Sequence, residues 1–280
     1  RLANYSYLLQ MTTQEDIDYE PGHVLALEIE ANNTKDDSIF DNPFERPAKT
    51  QQDIDKNDGW MRGPYTVTRA SSRSFDILIK VTGEKSHRFA LAAPGSAIKF
   101  GGKFKVPIVD GIKEGVKRVV MVSTGVGVGP CIGAIEKLLN DNDNGNAAMD
   151  VELLACYKEE GDVIYVDYLD EMQDKHERFH WKAILSEETG RLSASEENLK
   201  NLVSPNKVSS LLEETHYHLI GNGAMVNEFK AGLEKAGVPN DQITVEMYFN
   251  HRAEVDMDAV DRIASLVTTS HAQNLAVAKE

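Results

Sequence analysis

The segment at residues 124–130, Thr-Gly-Val-Gly-Val-Gly-Pro, constrains the fold of this chain more than any other. It follows residues 119–122, a continuous apolar run that is typical of a strand buried on both faces. The residues after it place Ile132, Ile135 and Leu138 at helical spacing. Glycines at such a junction let the backbone approach a pyrophosphate, and the helix N-terminus supplies amide donors. The segment therefore predicts a dinucleotide-binding α/β domain, with a tight turn that only packs strand on helix as the alternative.

The rest of the second half alternates between strands and helices. Apolar runs predict further strands at residues 151–156, 179–185, 216–220 and 243–249, with helical segments between them. This alternation is typical of βαβ units and predicts a parallel, Rossmann-like sheet. After the last strand, Asp256 can cap a final helix.

The first half has a different pattern. Short apolar stretches, including residues 24–29 and 75–81, are separated by Pro and Gly turn signals, which predicts a small antiparallel β-barrel. The polar stretch at residues 31–61 predicts a long surface loop, which Phe40, Phe44 and Trp60 can pin. We therefore expect a β + α/β chain with a barrel domain, an α/β domain and a helical tail, at residues 1–113, 114–250 and 251–280.

Composition narrows the functional classes. The net charge of −15 disfavours binding to nucleic acid or to anionic lipid. No run of about 18 apolar residues is present, so the sequence predicts no membrane span. The two cysteines, Cys131 and Cys156, lie beside apolar runs and are interpreted as buried thiols, not as a disulfide or a metal site.

Four short motifs occur in a characteristic order. Residues 62–66 approximate Arg-x-Tyr-Ser/Thr with one extra residue, and residues 83–86 match Gly-x-x-Ser. Residues 124–130 match Thr-Gly-x-Gly-x-x-Pro, and residues 220–225 approximate Cys-Gly-Pro-x-x-Met, with Ile and Asn in place of Cys and Pro. Together these motifs resemble those of the ferredoxin–NADP reductase superfamily, and the resemblance covers residues 18–250.

The resemblance implies an FAD-binding barrel followed by a nicotinamide-nucleotide domain. On the FAD side, Tyr65 would pack against the isoalloxazine ring, Thr66 would hydrogen-bond near its N5, and Arg62 or Arg69 would hold the pyrophosphate. Ser86 would cap a short pyrophosphate-binding helix. The FAD-binding residues implied in this way are Arg62, Tyr65, Thr66, Val67, Gly83, Lys85 and Ser86.

On the nucleotide side, the resemblance also implies a set of positions. An aromatic residue, Phe249 or Tyr248, would cover the flavin where nicotinamide enters, so the implied catalytic residues are Tyr65, Thr66 and Phe249. The implied nucleotide-binding residues are Thr124, Gly125, Gly127, Pro130, Ser186, Arg191, Gly221, Asn222 and Met225.

The choice between NADH and NADPH depends on the residues after the third strand of the α/β domain. NADP-specific members carry Ser-Arg there, whereas this chain has Ser186 followed by Glu187 and Glu188. Carboxylates repel a 2′-phosphate and accept from a ribose 2′-hydroxyl, which favours NADH. Arg191 and Lys158 leave NADPH open, and the acidic residues can also form a solvated turn that decides nothing.

The resemblance implies a flavin-dependent oxidoreductase that moves electrons between NAD(P)H and a partner through FAD. The partner would be an electron-transfer protein or a larger complex. The alternatives are a non-catalytic subunit that keeps the fold and docks in a larger, photosynthetic complex, and a nucleotide sensor without flavin. The chain is most similar to plastid members, in part through residues 248–251, which predicts a plastid stroma.

Overall fold

A computed structural model describes residues 2–31, 48–143, 149–202 and 212–277 of the chain. The chain divides into two compact units, Arg1–Lys105 and Val106–Glu280.

The first unit is built from antiparallel sheets. Among its described residues, six strands form two three-stranded sheets, ordered β1-β5-β4 and β3-β2-β6. The strands are β1 (Ser6–Thr12), β2 (His23–Glu30), β3 (Trp60–Thr66), β4 (Arg69–Ser71), β5 (Ser74–Lys80) and β6 (Lys99–Lys105), and the helices are α1 (Ala48–Lys56) and α2 (Glu84–Leu91).

The core of this unit comes from alternating side chains. Leu27 on β2 and Phe75 and Ile77 on β5 are at most 1% exposed, and their neighbours along each strand are more accessible. Phe89 of α2 joins the same cluster. Since burying a side chain of this size contributes about 1.5–3 kcal/mol, this cluster holds the helix against the strands.

The polar stretch at residues 31–61 contains a helix. The prediction of a surface loop is wrong for its described C-terminal part, where α1 spans Ala48–Lys56 and leads into β3. Ile54 is 4% exposed in the core, so one apolar residue anchors an otherwise polar helix. Trp60 lies under the Lys99 ammonium, 3.8 Å from it. Phe40 and Phe44 lie outside the described residues.

The second unit has one parallel sheet, ordered β11-β10-β7-β8-β9. The structure confirms the predicted fold class, and the predicted bounds of β9 and β11 match. The strands are β7 (Arg118–Thr124), β8 (Asp150–Tyr157), β9 (Phe179–Leu185), β10 (Thr215–Asn222) and β11 (Ile243–Phe249), and the helices are α3 (Val128–Asp143), α4 (Val166–Lys175), α5 (Ser186–Thr189), α6 (Glu196–Leu199), α7 (Gly223–Lys235) and α8 (Met257–Val277).

The C-terminal helix α8 packs on α7. The Asp256 carboxylate accepts hydrogen bonds from the amides of Asp258 and Ala259 and so caps α8, as predicted. The contact is close because α7 has Gly232 there, where an added Cβ would lie 2.6 Å from the Cγ2 of Ile263. No helix within the described residues is long and apolar enough to cross a membrane.

A buried ion pair joins the beginnings of β7 and β8. Nε and Nη2 of Arg118 donate to Oε1 and Oε2 of Glu152 at 3.0 and 2.7 Å. Nη2 also donates to the carbonyl of Leu202 at 2.8 Å. The two side chains are only 6% and 8% exposed, so the pair is fixed in a water-poor environment.

Both cysteines lie in the second unit. Cys131 is buried in α3, and Cys156 is partly accessible on β8. Burial raises the pKa of both thiols, that of Cys156 to about 12. Neither thiol is therefore ionised near neutral pH. The prediction of a buried thiol is confirmed for Cys131, whereas Cys156 is only partly buried.

Candidate functional site

The glycine-rich loop connects β7 to α3 as the sequence predicts. A short 3-10 turn, Gly125–Gly127, follows β7, and α3 begins at Val128 with Pro130 in its first turn. Gly125 has a φ of +54°, and an added Cβ there would meet nothing within 4 Å. This glycine therefore serves backbone conformation and leaves the surface of the loop open.

The end of β10 is pressed against this loop. A Cβ on Gly127 would lie 3.0 Å from the carbonyl oxygen of Ile220. Gly221 has a φ of +123°, and a Cβ there would overlap the Oγ1 of Thr124. That Oγ1 accepts a 2.8 Å hydrogen bond from the backbone amide of Asn222. The ends of β7 and β10 are thus held together at the point where strand order reverses, which is where α/β sheets bind ligands.

The side chains after β10 have different surroundings. Asn222 is the N-cap of α7 and accepts from the Ala224 amide at 3.0 Å. Met225 is 8% exposed and belongs to the hydrophobic core, so its side chain serves packing. At the end of β11, Tyr248 is half-buried, whereas Phe249 is 53% exposed.

The residues that follow β9 form a charged cluster. Ser186 opens α5, and Glu187 next to it pairs with Lys158 at 3.0 Å. Arg191 does not extend freely into solvent, because its Nη2 donates to both carboxylate oxygens of Glu228 at 2.6 and 2.7 Å. Lys158 and Arg191, the two cations that could bind the 2′-phosphate of NADPH, are thus each paired with a carboxylate.

Glu228 is a residue that the sequence analysis missed. It lies on α7 and is 2% exposed. The available signal is its spacing, because it follows Met225 by three residues on the helix face that also carries Phe229. An acidic residue on an apolar helix face needs a partner, and the sequence does not say which one.

In the first unit, a cation lies over the predicted flavin-packing tyrosine. The Nζ of Lys85 is 5.6 Å from the centre of the Tyr65 ring and donates to the Arg62 carbonyl at 3.2 Å. Phe89 contacts the same ring edge-on at 5.4 Å. Gly63 makes the approach possible, because a Cβ there would overlap the Lys85 ammonium. Burial lowers the pKa of Lys85 and raises that of Tyr65.

The other predicted FAD residues surround this group. The Arg62 guanidinium is 55% exposed, with Glu28 at 3.4 Å, whereas the alternative Arg69 is paired with Asp76 at 3.6 Å. Thr66 and Val67 are buried, and the amide of Val67 donates to the carbonyl of His23. The side chain of Arg62 is therefore the more accessible of the two candidate arginines.

The Gly-x-x-Ser motif begins α2, but its serine is not the cap. Gly83 occupies the N-cap position, and Ser86 is the third residue of the helix. The Ser86 hydroxyl accepts from the amides of Thr82 and Gly83 at 3.0 and 3.2 Å. It therefore fixes the turn into the helix from inside the first turn.

Two histidines lie in the interior of the second unit. His216 and His218 on β10 are fully buried. The Nε2 of His216 is 3.0 Å from the Oγ1 of Thr244, whereas neither ring nitrogen of His218 has a hydrogen-bond partner. Alternation along β10 places both rings on one face of the sheet, where burial keeps them neutral.

Comparisons with known proteins support this architecture. A family model described as an oxidoreductase NAD-binding domain matches residues 121–231. The ferredoxin–NADP⁺ reductase of Neisseria gonorrhoeae, solved with FAD and NADP, is similar at 16% identity over 89% of this chain and 96% of that one, with a TM-score of 0.63. The chain has the ferredoxin–NADP reductase fold.

A second solved structure with this reductase fold is similar over the same extent. The FAD/NAD-binding domain of the Vibrio cholerae nitric oxide dioxygenase shares 14% identity over 89% of this chain and 94% of that one, with a TM-score of 0.61. No curated protein matches the chain by sequence. The structural likenesses confirm the predicted fold, and the plastid subtype stays a prediction.

Proposed function

We propose that this chain is an FAD-dependent oxidoreductase that takes electrons from a nicotinamide nucleotide and passes them to a protein partner. The observation that carries the proposal is the match of residues 121–231 to an oxidoreductase NAD-binding family, which encloses the glycine loop and the Gly221 turn. Bound FAD would accept the hydride of the reduced nicotinamide and deliver electrons onward.

The residues of the second unit fit a dinucleotide. Gly125 leaves the loop surface open, and Gly127 and Gly221 let two backbone segments meet where a side chain would separate them. Amide groups at the start of α3 are the natural donors for a pyrophosphate. In this role Thr124 holds the Asn222 amide and so keeps the two strand ends in register.

The residues of the first unit fit a flavin pyrophosphate by charge. Lys85 forms none of the ion pairs found among the described residues, although it is partly buried. A desolvated cation without a carboxylate is stabilised by a bound anion. Lys85, Arg62 and the first turn of α2 would hold the pyrophosphate, and the Tyr65 ring would support the flavin.

The test is the visible spectrum of the purified protein, followed by anaerobic addition of NADH and then NADPH. We expect flavin bands that bleach with nucleotide. Lys85→Met should weaken FAD binding about tenfold, whereas Lys56→Met, which removes the same charge from an exposed site of α1, should not. A colourless protein that FAD cannot reconstitute would overturn the proposal and leave a reductase fold acting as a binding subunit.

Partner and location are proposed from the sequence resemblance. We propose an electron-transfer protein or complex as the electron acceptor, and a plastid stroma as the location. The lysines near the boundary between the two units do not favour an acidic acceptor, because several of them already have carboxylate partners: Lys105 with Glu20, Lys113 with Asp241, and Lys117 with Glu214. Chloroplast fractionation and import of the full natural chain would test the location.

A further inference from the structure

In the second unit, a buried carboxylate holds Arg191, which lies in the loop after β9. Glu228, which is 2% exposed, accepts from Arg191 and also from the hydroxyl of Ser193 at 2.9 Å. Both carboxylate oxygens are therefore used. The Arg191 guanidinium is thus paired with a buried group of opposite charge.

The loop around Arg191 is fixed from two further sides. The amide of the Asn198 side chain donates to the carbonyls of Thr189, Gly190 and Arg191 at 2.7, 3.3 and 3.2 Å. From α8, the Nε of Arg262 donates to the Ser193 carbonyl at 2.9 Å. These contacts fix the backbone of the loop and so hold Arg191 beside Glu228.

The second cation at this edge of the sheet is compensated in the same way. Lys158, which follows β8, pairs with Glu187 at 3.0 Å, and Glu188 adds another exposed carboxylate. A dianionic 2′-phosphate placed at the ends of β8 and β9 would therefore meet two cations that are each paired with a carboxylate. It would also be repelled by the negative charge of Glu188. A ribose 2′-hydroxyl would instead find carboxylate acceptors.

We infer that Glu228 is a specificity-determining residue, which makes the site select NADH over NADPH by neutralising Arg191. The inference rests on the proposed function, because it takes the ends of β8 and β9 as the adenosine side of a nicotinamide-nucleotide site. Glu228 is a positioning residue, because it acts through Arg191 and does not touch the nucleotide.

The experiment separates this role from turnover by measuring binding of two nucleotides without nicotinamide. Calorimetric titration of the wild-type protein with 5′-AMP and with adenosine 2′,5′-bisphosphate should give tighter binding of 5′-AMP. Glu228→Gln keeps the size of the side chain, removes the charge and replaces one acceptor oxygen with an NH2 donor. It should raise affinity for the bisphosphate about tenfold or more, because Arg191 would no longer be paired with a carboxylate and its charge would attract the 2′-phosphate. Affinity for 5′-AMP should change less than about twofold.

The matched control is Glu234→Gln, which makes the same charge change on the same helix, where Glu234 pairs with Lys230 on the exposed face. It should leave both affinities unchanged. The double variant Glu228→Gln/Arg191→Gln tests whether Glu228 acts through Arg191, whose side chain is 57% exposed. It should not show the gain in bisphosphate affinity, because the cation that the single variant releases is absent.

Three results would overturn the inference. These are a wild-type protein that prefers the bisphosphate, a folded Glu228→Gln variant with unchanged preference, and a double variant that gains as much bisphosphate affinity as Glu228→Gln alone. A wild-type protein that binds neither probe nor NAD⁺ would instead contradict the proposed nucleotide site itself, and the inference would fall with it. The wild-type comparison alone decides the preference if Glu228→Gln does not fold.

Discussion

Replacing Glu152 by leucine leaves the Arg118 guanidinium buried without its carboxylate. The pair is bidentate and less than a tenth exposed, so water cannot take over its role. Breaking a buried pair from one side typically costs about 3–5 kcal/mol of unfolding free energy. Because Arg118 keeps its bond to the Leu202 carbonyl, we expect about 4 kcal/mol, at the middle of that range.

The double variant Arg118→Met/Glu152→Leu separates the effect of an unpaired buried charge from the effect of changed packing. Removing both charges leaves the Leu202 carbonyl without this donor, which costs about 1–3 kcal/mol, while apolar packing offsets part of that. The double variant should therefore lie within about 2 kcal/mol of the wild type. It should be more stable than Glu152→Leu alone.

Urea unfolding followed by tryptophan fluorescence measures this in the second unit. The chain has two tryptophans, Trp60 in the first unit and Trp181 on β9, so a Trp60→Phe background leaves a single reporter. With a slope of about 1–3 kcal/mol per M, the single variant should unfold at least about 1 M earlier in urea. The reasoning would be refuted if the double variant lost as much unfolding free energy as the sum of the losses in Arg118→Met and Glu152→Leu.

Three further outcomes are expected. Gly221→Ala should cost about 2 kcal/mol or more and weaken nucleotide binding in calorimetry, because φ is +123° and the new Cβ overlaps Thr124; unchanged affinity would contradict this. Gly232→Ala should increase hydrogen exchange in α8, because its Cβ lies 2.6 Å from Ile263, and Ile263→Ala should reverse part of the effect. The free energy of unfolding should fall by about 4 kcal/mol from pH 7 to pH 5. Burial lowers the pKa of His216 to about 4 and that of His218 to about 3, so in this pH range only the unfolded chain gains protons at these two side chains. Unfolding midpoints that do not change between these pH values would refute this prediction.

The α/β unit was largely predictable because its signals are local. The two edge strands of the parallel sheet, β9 and β11, are short stretches rich in apolar residues between turn residues, and their predicted bounds match the structure. The first unit was less accessible to sequence reasoning. Strand β1 went unpredicted, and α1 appears in a polar stretch because one buried isoleucine, Ile54, fixes it to the core.

Within the candidate site, the same division holds between local and distant signals. The glycine loop and the turn at Gly221 depend on backbone conformation close in sequence, and both are found where they were predicted. The Arg191–Glu228 pair joins residues 37 positions apart, so only the packing of α7 brings them together. For the same reason, the sequence could suggest a phosphate-binding arginine but could not show that a carboxylate already occupies it.

The two inert thiols have a practical consequence for mapping the partner. Both Cys131 and Cys156 lie in the second unit and the first unit has no cysteine, while burial keeps their thiolate fractions negligible at neutral pH. A single cysteine introduced at an exposed position such as Phe100 or Phe104 would then be the fast-reacting thiol of the folded protein. A cross-linker or spin label could be attached there without first removing the native cysteines.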